Sequence, residues 1–378
     1  MKVVMLGCLP PQRGISSYNL ELSKALSEKI EVNFISFKKM YPSFLYPGGD
    51  LEEDNTFPNF ENKNLKVRRN LTYYNPFTWI REGLVKGDLL HVQWWSYPLA
   101  PVYLTIMVLF KLRRKKIIMT VHNVVPHEPN YLLNLLHKII YLLPNRFILH
   151  SDKNIKQMEM CFDINRNKLI KIPHGILGFF KDKEVSKLQA RKKLGLNKKD
   201  KVILNFGAVR EYKGVYTLLK AFSKVIEKNK NAKLIIAGKL WVDWKPYEEF
   251  IKKNRLEKGI KLFLDYIPTN QVKYYFYSAD LVVLPYKEFP SQSGVGMLAL
   301  PFSKPLLVSN VGGLPELVKD RRSILEPENN EKWAEEILFR LNNKNVLKKM
   351  SKESIELSHQ FSWDAISKET IGVYNGQI

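Results

Sequence analysis

Apolar positions along this chain fall into two rhythms. Short, nearly unbroken runs recur at residues 2–7, 32–37, 89–93, 116–121, 145–150 and 169–172, a length that fits strands buried on both faces. Between them the spacing changes to that of helices: across residues 17–27 the apolar side chains are Tyr18, Leu22, Ala25 and Leu26. Repetition of strand, helix and strand predicts an α/β domain whose parallel sheet is covered on both faces. A Lys-rich helical stretch at 181–196 follows, and then a second series of runs at 202–206, 234–237, 260–264, 281–284 and 306–309. These predict a second sheet with its own core and a boundary near residues 173–180. Residues 331–374 are helical in pattern, and 42–64, a mixture of Pro, Gly, Asp and Asn, read as a loop.

Length agrees with this division, because 378 residues exceed what one core ordinarily serves. Two facing α/β domains imply a cleft. Composition adds a charge: Lys and Arg outnumber Asp and Glu by 60 to 37, a formal +23 that draws anionic partners. The lysines are spread over the whole chain, with no zinc-ligand set and no RNP-type aromatic motif, so nucleic acid is not the expected partner. Residues 97–110 are apolar but shorter than the ~20 residues of a membrane-spanning helix. Lys111, Arg113, Arg114, Lys115 and Lys116 follow directly, and this basic end, with the apolar run at 131–143, is expected to rest on an anionic membrane surface. Cys8 and Cys161 form no CxxC pair, and no cleavable leader is evident at the start. A cytoplasmic protein, peripheral on the inner membrane face, is therefore expected.

The candidate chemistry lies at strand ends, which line the ligand crevice of open α/β sheets. Gly207 closes one strand, Lys213-Gly214 opens the next helix, and Arg210 lies between them. Arg210 and Lys213 can grip a diphosphate together, Arg as a planar fork and Lys as a point charge. The alternative is a pair of solvated loop cations. Gln292, Ser293, Gly294 and Val295 stand between a strand and an apolar helix, where backbone N–H groups attract an anion. Pro301 is expected to end or kink that helix early. There is no nucleophile motif of the GxSxG type, no HExxH and no DxD loop for a metal–diphosphate bridge.

Taken in this order, these motifs resemble glycosyltransferase family 4, retaining enzymes of the GT-B fold, over nearly the whole chain. The N-terminal loop running from Pro10 through Gly14 to Tyr18 is similar to that family's glycine loop, and Thr120-Val-His122-Asn123 to its His-bearing strand end. Ile172-Pro-His174-Gly175 looks like its hinge, and Gly312-Gly-Leu-Pro-Glu316 and Phe361-Ser-Trp363 match later motifs. The resemblance implies two Rossmann-like domains, at 1–175 on the acceptor side and 176–357 on the donor side, with 358–378 returning as a helix to the first. It implies hexose transfer from a UDP- or GDP-linked sugar, with no cofactor and no metal, to a lipid-linked or glycan acceptor. His122, Arg210 and Lys213 would be catalytic, while Gly14, Gln292, Ser293, Gly294, Val295 and Glu316 would bind donor. Ser16, Tyr18, His91 and Gln93 are candidates for acceptor contact, and His150 and His174 for structural roles.

Two departures stand out. Ala208 replaces the family's Arg after the strand glycine, with Arg210 as candidate substitute. The family's paired glutamates would fall at Pro290 and Leu298, so the chain resembles a branch carrying Gln-Ser-Gly-Val instead. A catalytically degenerate GT-B binding protein and a sugar-nucleotide epimerase therefore remain alternatives.

Overall fold

The computed structural model describes all residues except 13–14, 43–53, 55, 58–60, 125–130, 182 and 290, and leaves the side chains of 131–135 aside. The chain forms two compact units, Met1–Gly175 with Ser362–Ile378, and Ile176–Phe361. The candidates Gly14 and Pro290, and most of the loop expected at 42–64, lie outside the described residues.

The first unit is built on seven strands: β1 (Lys2–Leu6), β2 (Glu31–Lys39), β3 (Leu65–Thr72), β4 (Leu89–Trp94), β5 (Lys116–Val121), β6 (Arg146–Leu149) and β7 (Leu169–Lys171). They pair in the order β3-β2-β1-β4-β5-β6-β7, and every pairing is parallel. The apolar runs of β1, β4 and β5 occupy the middle, as a sheet buried on both faces requires. Helices α1 (Ser16–Ser27), α2 (Pro76–Gly83), α3 (Ala100–Leu112), α4 (Tyr131–Tyr141) and α5 (Asp152–Phe162) connect them.

Strand β3 has no counterpart among the apolar runs. It sits at the sheet edge, and its register against β2 slips past Ser36, so the alternation expected of a half-buried strand breaks at Arg69-Asn70. Its polar side chains nevertheless have defined partners. The Arg68 guanidinium donates to both oxygens of Glu82 at 2.6 and 3.1 Å, Asn70 adds a bond at 3.0 Å, and Glu82 is fully buried. A carboxylate out of water needs such pairing.

The second unit carries β8 (Lys201–Phe206), β9 (Ala232–Ala237), β10 (Ile260–Phe263), β11 (Leu281–Leu284), β12 (Leu306–Ser309) and β13 (Ile324–Leu325), with strand order β10-β9-β8-β11-β12-β13. All are parallel. Its helices are α6 (Lys187–Lys193), α7 (Val215–Lys228), α8 (Lys245–Lys253), α9 (Thr269–Ser278), α10 (Gly294–Ala299), α11 (Asn330–Asn342) and α12 (Lys344–Gln360). Helix α6 starts at a capping box in which Ser186 and Gln189 satisfy each other's backbone N–H. Helix α10 is short because Pro301 lies in the 3-10 turn Leu300–Phe302 that ends it.

The helical pattern of 331–374 resolves into three helices. Asn343 caps α12, and Ser362 caps α13 (Trp363–Asn375), which packs on α1 in the first unit. Lys29 on the α1 side holds α13 by an ion pair to Asp364 at 3.0 Å and a bond to Ser367 at 2.9 Å. Trp363 lies against Tyr18, with ring centroids 5.2 Å apart. Gly175 leaves room for it: a Cβ there would meet the Trp363 ring at 2.4 Å.

Candidate functional site

Each sheet reverses its strand order once, between β1 and β4 in the first unit and between β8 and β11 in the second. Ligands of open α/β sheets sit at the carboxyl ends of strands at such a reversal, where the flanking loops part in opposite directions. The candidate residues gather at these two places.

In the second unit the loop after β8 turns at Gly207, whose φ of +96° only glycine adopts readily. A Cβ at Gly207 would lie 3.0 Å from Val295 and 3.4 Å from Lys213 Nζ, so three of the predicted residues converge there. Arg210 precedes a one-turn 3-10 helix, Glu211–Lys213, and Gly214 (φ +68°) starts α7. Close approach compels that glycine, since a Cβ would stand 1.7 Å from the Pro285 carbonyl at the end of β11. The Lys213 loop is thereby pressed onto the β11 loop.

Lys213 is buried, and its ammonium donates to Tyr286 Oη at 2.8 Å while lying 4.6 Å from the centre of that ring. Tyr286 Oη is in turn 3.1 Å from Ser293 Oγ, which accepts the Gly296 N–H at 3.3 Å as the N-cap of α10. A hydrogen-bond line therefore runs from the lysine to the first turn of the helix. Lys213 has no ion-pair partner among the described residues, and burial, with Arg210 nearby, lowers its pKa. Tyr286 is pushed up by burial and stays a neutral phenol. Arg210 is half-buried, its guanidinium 4.1 Å from the centre of the Trp241 ring. A buried cation without counter-charge is a costly arrangement, and an anionic ligand would relieve it.

Gln292 donates to Glu316 at 2.8 Å, which joins two predicted donor residues. The adjoining glycines permit this contact. Gly312 has φ +55° and faces the Phe289 and Ser291 carbonyls, and a Cβ on Gly313 would collide with Gln292 at 2.7 Å. Leu298, one of the two positions where the sequence resemblance leads one to expect glutamate, is 4% exposed and belongs to the apolar core. Tyr286 was not singled out in the sequence; its signal was its position, directly after the strand-ending Pro285.

In the first unit a line of buried imidazoles starts on β4, beside the reversal, and runs past β5 to the end of β6. His91 Nδ1 is 2.6 Å from Tyr374 Oη and its Nε2 is 2.8 Å from Thr120 Oγ1. The Gln93 amide bridges onward, 3.2 Å from His91 Nε2 and 3.0 Å from His122 Nε2. His122 Nδ1 then meets His150 Nε2 at 3.3 Å, and His150 Nδ1 ends the line on the Ile172 carbonyl at 3.0 Å. Tyr18 packs edge-on against His122 and His174, both at 4.8 Å. Burial lowers every one of these histidines: His91 and His174 to about 3, His150 to about 4, and His122 well below its usual value. His91 and Gln93 are fully enclosed, and Ser16 and Tyr18 are buried at the start of α1. His122 spends both ring nitrogens within the unit.

Residues 186–357 match the family model described as glycosyl transferases group 1. An uncharacterized glycosyltransferase of Methanocaldococcus jannaschii is 29% identical over 239 residues, 60% of this chain and 59% of that protein. A D-inositol 3-phosphate glycosyltransferase of Corynebacterium glutamicum is 26% identical over 50% of this chain and 47% of its own length. The chain thus spans about half to three-fifths of these relatives. Among solved structures, the Anabaena protein HepE in complex with UDP and glucose superimposes over 100% of both chains with a TM-score of 0.75 at 14% identity. The fold is GT-B. The two parallel sheets of this GT-B chain place the predicted residues in two groups, one at each order reversal. Among the described residues, no helix is long and apolar enough to cross a membrane, and no group of three His, Cys, Asp or Glu side chains could hold a metal ion.

Proposed function

We propose that the protein is a retaining glycosyltransferase that moves a hexose from a UDP- or GDP-linked sugar to a lipid-linked or glycan acceptor. The observation that carries this reading is Lys213, a buried cation without ion-pair partner among the described residues, at the order reversal of the second unit and beside a small-residue helix start. The group 1 match over the same unit supports it, as does the UDP and glucose held by HepE. In transfer, the bond from the anomeric carbon to the diphosphate oxygen breaks and a bond to an acceptor oxygen forms on the same face. The nucleoside diphosphate leaves with the bonding pair, and its freed oxygen on that face would take the proton that the acceptor hydroxyl gives up. Arg210, Lys213 and the Gly294 and Val295 amides would stabilise that charge in place of a metal, a preorganised contribution in which a single donor is typically worth ~3 kcal/mol. His122 would contact the transferred sugar, and Gln292 with Glu316 would hold the sugar–ribose side.

For the acceptor, exposed apolar side chains support the membrane reading: Phe77, Ile80 and Leu84 at α2, Leu112 at the end of α3 and Leu142 just beyond α4. Arg114 and Lys116 stand exposed beside them, whereas Arg113 turns back to donate to the Gly83, Leu84 and Val85 carbonyls at the end of α2. Co-sedimentation with anionic but not neutral vesicles at low salt is expected; equal binding to both would remove this part. Donor assignment is tested by Arg210→Ala and Lys213→Ala. Transfer unchanged in both variants refutes it.

A second reading has its own support. Leu298 is sealed in the core, so no carboxylate meets a ligand from that position, and a nucleotide-binding protein without turnover fits this. Tight nucleotide binding with no sugar released or transferred would favour it.

A further inference from the structure

Proton positions along the buried histidine line follow from one atom that can only accept. The Ile172 carbonyl is 3.0 Å from His150 Nδ1, so that nitrogen carries hydrogen. Neutral His150 is then bare at Nε2, and His122, 3.3 Å away, must donate to it from Nδ1. His122 is in turn bare at Nε2, 3.0 Å from the Gln93 amide. A bare nitrogen needs the amide NH2, since oxygen there would set two acceptors against each other. With NH2 toward His122, the amide oxygen faces His91 Nε2 across 3.2 Å and accepts its proton, which Thr120 Oγ1 shares at 2.8 Å. His91 Nδ1 finally accepts from the Tyr374 hydroxyl at 2.6 Å. Three neutral imidazoles satisfy the whole line.

The structure draws Gln93 the other way, with Oε1 on His122 and Nε2 on His91. That orientation needs one more proton. With His122 donating from Nε2, either His122 carries hydrogen on both nitrogens and still donates to His150 from Nδ1, or His150 carries both to reach His122 and Ile172 together. A half-turn of the amide and one proton separate the two arrangements, and the termini of an amide are alike in shape.

We propose that Gln93 is a positioning residue: with His150 anchored on the Ile172 carbonyl, its amide NH2 holds neutral His122 as the Nδ1–H tautomer, and uptake of one proton turns that amide by half a revolution. The surroundings favour the neutral arrangement. Among the described residues, the groups facing the line are Tyr18 of α1, Thr120 of β5, His174 before the unit boundary and Tyr374 of α13, and the charges acting on His122 are the other imidazoles, with no carboxylate. Gln93, fully buried between two rings, thereby sets which nitrogen of His122 carries hydrogen. Any effect on sugar transfer rests on reading His122 as the sugar contact; the proton positions do not.

Long-range 1H–15N correlation on the full chain labelled at histidine tests this. At pH 7.5 His122 and His150 are expected as Nδ1–H and His91 as Nε2–H. Gln93→Glu offers only oxygens to both rings, so His122 is expected to become Nε2–H and one relay histidine to titrate at least about one pH unit higher. Nε2–H on His122 beside a neutral His150 in the wild type overturns the proposal, as do unchanged tautomers in Gln93→Glu. The wild-type spectrum decides the assignment even where the variant does not fold. Transfer unaffected by His122→Ala would refute the catalytic reading of that residue and leave the tautomers standing.

Discussion

Replacing Lys213 by Met separates binding from stability. The ammonium is buried, lacks an ion-pair partner among the described residues and has a pKa lowered by burial and by Arg210, so the folded state holds that charge at a cost. Methionine fills similar space without the charge. It forfeits one hydrogen bond from the ammonium to Tyr286, a charged-group bond worth about 1.5–3 kcal/mol, against which stands the relief of a buried charge, and Tyr286 can still donate to Ser293, 3.1 Å away. Loss and gain nearly cancel, and the variant should unfold within about 1 kcal/mol of the wild type. Binding should respond differently, because a hydrogen bond to a charged group contributes about 1.5–3 kcal/mol. At 1.36 kcal/mol per decade this weakens a nucleoside diphosphate roughly 10- to 150-fold. Urea unfolding and calorimetric titration with UDP and GDP measure the two. There is also a pH signature: with the folded pKa below the ordinary 10.5, the unfolded chain binds more protons between the two values, so stability from Lys213 rises with pH through that window. Methionine should abolish that rise. A variant destabilised by more than about 2 kcal/mol, with nucleotide affinity intact, would mean that Lys213 is a structural cation and not a phosphate ligand.

Gly214→Ala should cost about 2–5 kcal/mol in urea unfolding, since it adds left-handed strain to a collision with the Pro285 carbonyl; a loss under 1 kcal/mol would show that the two loops move apart freely. The first unit should lose structure in acid, followed by near-ultraviolet circular dichroism. Below pH 6.5 the unfolded chain takes up protons that buried His150 refuses until about 4, a difference of 2.5 units and about 3 kcal/mol for that ring alone, with His91 and His174 adding in the same direction. Stability unchanged from pH 7 to 4.5 would contradict the burial of these rings. Gly175→Ala should loosen α13, seen as faster amide exchange from Trp363 onward, because the added methyl meets the indole at 2.4 Å.

Local pattern carried much of this architecture. The strand expected at 116–121 is β5, and those at 281–284 and 306–309 are β11 and β12, because a strand buried on both faces is written as an uninterrupted apolar run. Strand β3 was not legible. At the sheet edge it keeps few inward positions, a register slip breaks its period, and its arginines look solvent-bound until Glu82 is seen beneath Arg68 and Asn70. The two-residue β13 is too short for any periodicity to register.

For the site, the sequence alone determined which residue types were available. It showed the cations at 210 and 213, the small residues at 293–295, the glycines at 207, 214, 312 and 313, and histidines at or near strand ends. Those are local facts, set by loop length and by residue chemistry. Tertiary structure decided which of them meet. It put Lys213 against Tyr286 and Ser293 because strand order reverses between β8 and β11, bringing together loops far apart in the chain. It also joined His91, Gln93, His122 and His150 into one buried line, since β4, β5 and β6 lie side by side. Burial then set their protonation, and burial depends on neighbours that no local pattern names.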